Sequence, residues 1–167
     1  MLRSIGPNDW FNVIVLVIEY VLFFFLPPRI PKSVAALVML IGLALPLVWD
    51  HSLGTPPIDL YDTNVYPELT FADVLTWAMY PPLAYFFAYL YDKLRIRGLA
   101  IPAYLLVWAV AGTAFEAAAA SFGVFDYKGW SLRYSFLVYL AVLSVTAYLF
   151  VRLMASFHRA RKASFRP

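Results

Sequence analysis

The sequence predicts an all-α integral membrane bundle of five transmembrane helices, forming a single domain over residues 1–167. Three observations carry this. Of 167 residues, 63% are hydrophobic and 14% charged, against about 45–50% and about 25% in soluble domains. The mean hydropathy is +0.73. The apolar residues gather into five runs, each near the roughly 17–25 residues that cross a hydrocarbon core.

The first span covers Trp10–Leu26. It has only Arg3 ahead of it, and it ends in Phe-Leu-Pro-Pro-Arg with no small-residue cleavage site, so it reads as a retained helix rather than a signal peptide. Pro27, Pro28 and Pro31 stop it and make a short, stiff turn. The second span is Ser33–Trp49, followed by an outer loop over Asp50–Thr70. The third span, Phe71–Tyr91, opens on Thr70-Phe-Ala-Asp73, which resembles a capping box. Its internal Pro81-Pro82 removes two backbone donors, predicting a kink and freed carbonyls that a hydroxyl or water must satisfy. The fourth span is Leu99–Phe122 and the fifth Leu132–Met154, with a basic tail over 155–167.

Orientation follows from Lys and Arg. Ten of the thirteen lie on one side: Arg29 and Lys32; Lys93, Arg95 and Arg97; and Arg152 with the tail residues Arg159, Arg161, Lys162 and Arg166. Arg3, Lys128 and Arg133 lie on the other. The positive-inside rule makes the first side cytoplasmic, with the N-terminus outside and the C-terminus inside. Trp10, Trp49 and Trp130 then fall at the outer boundary, where indoles anchor spans. The predicted location is a bacterial cytoplasmic membrane.

Composition also excludes chemistry. There is no cysteine, hence no disulfide, thiol nucleophile or thiolate metal site. The basic clusters read as topology signals and contacts to anionic lipid headgroups at the cytoplasmic face, not as nucleic-acid binding. No internal repeat is evident, which argues against an inverted-repeat transporter in one subunit and leaves a homo-oligomer or a membrane protein partner open.

Glu116 is the only charge in the fourth span. An intramembrane carboxylate is costly and is buried against a partner. Gly112, Ala119 and Ala120 share its face, and Ala109, Thr113, Ala117 and Ser121 form a neighbouring small row, which predicts close packing, an inward-facing Glu116 and a central fourth span. Glu116 lies roughly 9 Å from the outer end of its helix, and Glu19 roughly 13–14 Å deep in the first span, by the α-helical rise. Asn12 and Phe23 share the face of Glu19. Asp73, Thr76, Tyr80 and Ala84 form one stripe of the third span. Arg133 and Lys128 are the outer-side cations available to Glu116, and Tyr and Thr hydroxyls the neutral partners. Each carboxylate has two readings, a functional group or a structural hydrogen-bonded anchor. Asp50 and His51 are weak candidates for a cation site with Asp59, Asp62 and Glu68, since the spacing matches no metal loop and a helix-end cap explains them as well.

Thr70-Phe71 leading to Tyr80-Pro81, then Glu116 followed by Tyr127, Trp130, Ser135 and a long apolar helix ending in Arg152, resembles a family of small, uncharacterised multipass membrane proteins of spore-forming bacilli and clostridia. The resemblance spans roughly the C-terminal two-thirds of the chain, and it is carried in the first two spans by hydropathy and the Glu19-Tyr20 pair. It implies the multipass topology and draws attention to Tyr80, Glu116, Tyr127 and Trp130, while implying no reaction and no cofactor.

The expected function is therefore non-enzymatic: binding, sensing or an accessory role, with an outward-facing polar pocket built from Glu19, Tyr80, Glu116, Tyr127 and Arg133. The alternative is a small proton-coupled transporter acting as an oligomer. A lipid-modifying enzyme is disfavoured, because paired metal-binding Asp motifs, nucleophile settings and His clusters are absent.

Overall fold

The computed structural model describes residues 6–63 and 71–164. Five helices follow in order, α1 (Pro7–Phe25), α2 (Lys32–Leu53), α3 (Phe71–Lys93), α4 (Ala100–Ser121) and α5 (Leu132–Ser164). Two short strands, β1 (Tyr61–Thr63) and β2 (Phe125–Tyr127), interrupt the helical pattern. They pair antiparallel with Tyr61 opposite Tyr127, joining the α2–α3 and α4–α5 connections. Hydropathy alone did not anticipate this ribbon. The Thr70 capping position and Glu68 lie outside the described residues.

Each boundary has a local cause. Pro7 opens α1, where its missing N–H is not needed, and the Gly6 N–H donates to Oδ2 of Asp9 at 2.9 Å. Gly123, at φ +77°, takes the left-handed conformation that ends α4 and turns the chain into β2. α2 continues beyond the expected Trp49 to Leu53, so Asp50 and His51 stand on the last turn of a helix rather than in a loop. α5 has 33 residues and also runs past its expected end. At about 50 Å it exceeds the roughly 30 Å hydrocarbon core of a bilayer.

Among the described residues, α1, α2, α4 and α5 are long and apolar enough to cross a membrane; α3 is not among these four. The burial pattern agrees with an apolar surrounding. α1 buries Asn8, Asn12 and Glu19, while Ile14, Ile18, Leu22 and Phe25 on its other face stay exposed. In water this would be inverted, because burying polar groups and exposing large apolar ones both cost free energy. In lipid it is the favourable arrangement.

The central element is α3, not α4 as the small-residue face suggested. α3 packs against α1 and α2 and touches α5, and it carries the most buried residues of any helix. α4 packs chiefly on α5. The α2–α3 approach is close enough that a methyl on Gly42 would collide with Cβ of Ala84. Pro82 cannot donate to the carbonyl of Ala78, and the Tyr20 hydroxyl of α1 supplies that bond at 3.3 Å. The expectation that a neighbouring hydroxyl meets a freed carbonyl is thus realised at this position. A second α1–α3 bond runs from Asn12 Nδ2 to Thr76 Oγ1 at 3.2 Å.

One end of the bundle is closed by aromatic packing. Phe87, Tyr91, Tyr104, Trp108 and Phe150 pack ring against ring, with centroids 5.2–6.4 Å apart. The Tyr104 hydroxyl donates to the Phe87 carbonyl at 2.6 Å. At this same end Arg29 pairs with Asp92, tying the α1–α2 turn to the end of α3. The opposite end carries the ribbon.

Candidate functional site

Between the ribbon and the aromatic plug lies a cavity of about 420 Å³, walled by α2, α3, α4 and α5 with Phe11 of α1. Its chemistry is polarised. Towards the ribbon it is lined by Asp50, Tyr61, Tyr80, Glu116, Tyr127 and Tyr139. Towards the plug the walls are apolar, with Leu83, Phe87, Trp108 and Leu143.

Glu116 is 6% exposed and accepts three hydroxyl hydrogen bonds. Tyr127 and Ser135 donate to Oε1, each at 2.6 Å, and Tyr139 donates to Oε2 at 2.8 Å. Ser135 is itself fixed by Trp130, whose Nε1 donates to its Oγ at 2.7 Å. Gly112 lies beside Tyr139. The Tyr139 ring lies against that position, where an added Cβ would sit 3.4 Å from ring carbons. One turn further along α4 the hydroxyl reaches Glu116.

Asp50 is held the same way. Tyr61 donates to Oδ1 at 2.9 Å and Tyr80 to Oδ2 at 2.8 Å. Asp50 and Glu116 both line the cavity. Among the described residues neither forms an ion pair, and no Lys, Arg or His lines the cavity. The site therefore holds two carboxylates supported only by neutral donors. Such support offsets part of the desolvation cost, since hydrogen bonds to charged groups are worth about 1.5–3 kcal/mol each.

The ribbon roofs this end. The backbone N–H groups of Lys128, Gly129 and Trp130 all donate to the Leu60 carbonyl, at 3.0, 2.9 and 3.2 Å. The Lys128 ammonium bridges Asp59 (2.9 and 3.0 Å) and Asp62 (3.0 Å). These hydrogen bonds, Asp59 first and then Asp62, raise the Lys128 pKa above its ordinary value. The Tyr61 and Tyr127 phenols are raised well above the ordinary tyrosine value, first by burial. The Asp50 charge adds to the shift at Tyr61, and the Glu116 hydrogen bond at Tyr127.

Of the candidate residues named from sequence, the structure brings together Tyr80, Glu116 and Tyr127, and adds Asp50 to them. Glu19 does not line the cavity. It is buried in α1, and its Oε2 has no hydrogen-bond partner. Arg133 is exposed and lines a separate shallow groove between α4 and α5 with Val110, Ala114 and Phe136. His51 is exposed beside Asp50, and its side chain is not among the cavity walls. Among the described residues no three His, Asp or Glu side chains converge to hold a metal ion. Tyr139 and Tyr61 belong to the site but were not singled out from sequence. The signal for Tyr139 was a polar stripe on the apolar fifth span, Ser135, Tyr139 and Thr146, at helical spacing. No family model, curated protein or solved structure matches the chain.

Proposed function

We propose that this chain is a multipass protein of a bacterial cytoplasmic membrane that binds a small ligand in the cavity beneath the ribbon, in a sensing or accessory role. The observation that carries the reading is that Asp50 and Glu116 both line one end of a largely apolar cavity. A volume of about 420 Å³ is within the roughly 300–1,000 Å³ typical of ligand sites, which are mostly apolar with a few placed polar groups. A purely structural carboxyl needs no cavity beside it.

In this reading all five helices cross the bilayer. α3 is sheltered by its neighbours, and its 23 residues span about 34 Å. The N-terminus is outside and the C-terminus inside, so the ribbon faces out and the aromatic plug faces the cytoplasm. The basic residues at the plug end support this orientation. The plug also favours one-sided binding over alternating access, because a carrier must open a path between Phe87, Tyr91 and Tyr104.

The test is native mass spectrometry of the protein released from lipid nanodiscs. The expected result is a co-purifying small molecule on the wild type, lost on Val142→Phe, which narrows the cavity while leaving both carboxylates in place. An empty wild-type cavity, with unchanged behaviour of Glu116→Gln, overturns the reading.

A further inference from the structure

We infer that the ligand is an amphipathic organic cation, its ammonium head between Asp50 and Glu116 and its apolar body lying towards Trp108 and Leu143. This rests on the ligand-binding reading above and names the ligand's class.

Three independent features converge on that class. The first is charge. The walls present two carboxyl groups and no Lys, Arg or His side chain. The nearest ribbon cation, Lys128, is already engaged by Asp59 and Asp62. A monocation at the polar end is attracted by carboxylate charge, and in a low-dielectric interior that interaction is strong. An anion would be repelled by it.

The second feature is aromatic. Tyr61, Tyr80, Tyr127, Trp130 and Tyr139 all line the cavity. The four tyrosine hydroxyls are spent on the carboxylates. Their rings remain as walls around the head position, with Tyr61 and Trp130 at 5.5 Å from each other. Aromatic walls around an anionic centre bind alkylated ammonium groups through ring faces, each contact worth about 0.5–2 kcal/mol.

The third feature is shape. The cavity does not end at the carboxylates but continues between α3, α4 and α5 past Leu83 and Val142 to the plug. An inorganic cation or a proton has no use for that space. Filling it with a short hydrocarbon chain recovers about 0.8 kcal/mol per methylene taken from water.

The test is binding to nanodisc-reconstituted protein, read by quenching of intrinsic tryptophan fluorescence, since Trp49, Trp108 and Trp130 line the cavity. The probes are hexyltrimethylammonium, 1-hexanol and hexanoate, which share a chain and differ in head charge. Saturable binding of the cation, at least about tenfold tighter than either other probe, is the expected result. Asp50→Asn and Glu116→Gln should each weaken it by about tenfold, the effect of losing one charge-assisted contact. Val142→Phe should abolish it, and Arg133→Ala should leave it unchanged. If the carboxylate variants do not fold, the head-group preference of the wild type still decides. Hexanol or hexanoate binding as tightly as the cation overturns the cationic assignment while leaving a ligand site standing. Binding of none of the three overturns the assignment as well, and the mass-spectrometric result then judges the ligand site by itself.

Discussion

Tyr139 donates its hydroxyl to Oε2 of Glu116 at 2.8 Å, tying α5 to α4 at the polar end of the cavity. Its ring rests on Gly112, one turn from Glu116 on the same face of α4. The small-residue face of α4 therefore receives the ring that supplies a donor to the buried carboxylate.

Removing the acceptor is expected to cost more than removing one donor. Glu116→Ala leaves the hydroxyls of Tyr127, Ser135 and Tyr139 without their partner, and an unpaired buried donor costs about 1–3 kcal/mol. A loss of about 2–4 kcal/mol is expected, because some hydroxyls can turn elsewhere. Tyr139→Phe should lose only about 1 kcal/mol. Thermal unfolding in a fixed nanodisc composition ranks the two, and equal losses would contradict the network.

Packing of α2 on α3 depends on Gly42. Gly42→Ala pushes a methyl into Ala84 and should destabilise by about 1–3 kcal/mol, the range of overpacking effects. Ala84→Gly in the same chain should restore most of the loss. A double variant no better than Gly42→Ala would show that the two helices do not meet there.

The ribbon should be sensitive to alkali. The folded protein holds the Tyr61 and Tyr127 phenols neutral, with pKa values above their unfolded ones. Their contribution is complete below about pH 10, the ordinary tyrosine value, and declines as pH rises beyond it. Lys128 acts in the same direction. Its pKa is raised by Asp59 and Asp62, so its contribution is present below about pH 10.4 and lost as pH climbs through the raised value. The midpoint of thermal unfolding should fall as pH rises above about 10, and tyrosine absorbance should titrate in a late phase that Tyr61→Phe and Tyr127→Phe reduce.

The absence of cysteine makes topology directly measurable. Asp126→Cys, at an exposed position in the ribbon, should react in intact cells with a membrane-impermeant maleimide. Arg95→Cys, in the turn at the plug end, should react only after lysis. The reverse pattern would invert the proposed orientation.

Tyr20 is expected to matter through one bond. Tyr20→Phe removes the donor that meets the Ala78 carbonyl opposite Pro82, for a loss of about 1 kcal/mol. Substituting Pro82 by Ala in the same chain should remove most of that penalty, because the helix then supplies its own N–H.

The helices were determined by the sequence itself. Five apolar runs bounded by prolines, glycines and charges became five helices within a few residues of their expected ends, α5 excepted, which continues from the expected Met154 to Ser164, because helical hydrogen bonds are local. The burial of Glu116 was likewise legible, since a lone charge in an apolar helix must turn inward. Which groups surround it was decided only by tertiary structure. Asp50 reads from sequence as a helix-end residue, yet a longer α2 aims it at Tyr61 and Tyr80. Glu19 and Arg133 read as neighbours of Glu116, yet helix rotation sends one into the α1 face and the other to the surface. The β1–β2 pairing joins two connections far apart in the chain, and three-residue strands leave no periodicity to detect. A hydropathy run settles that a helix forms, but the rotation that chooses its neighbours is set by contacts such as Gly42 on Ala84 and Gly112 on Tyr139, which exist only once the bundle is packed.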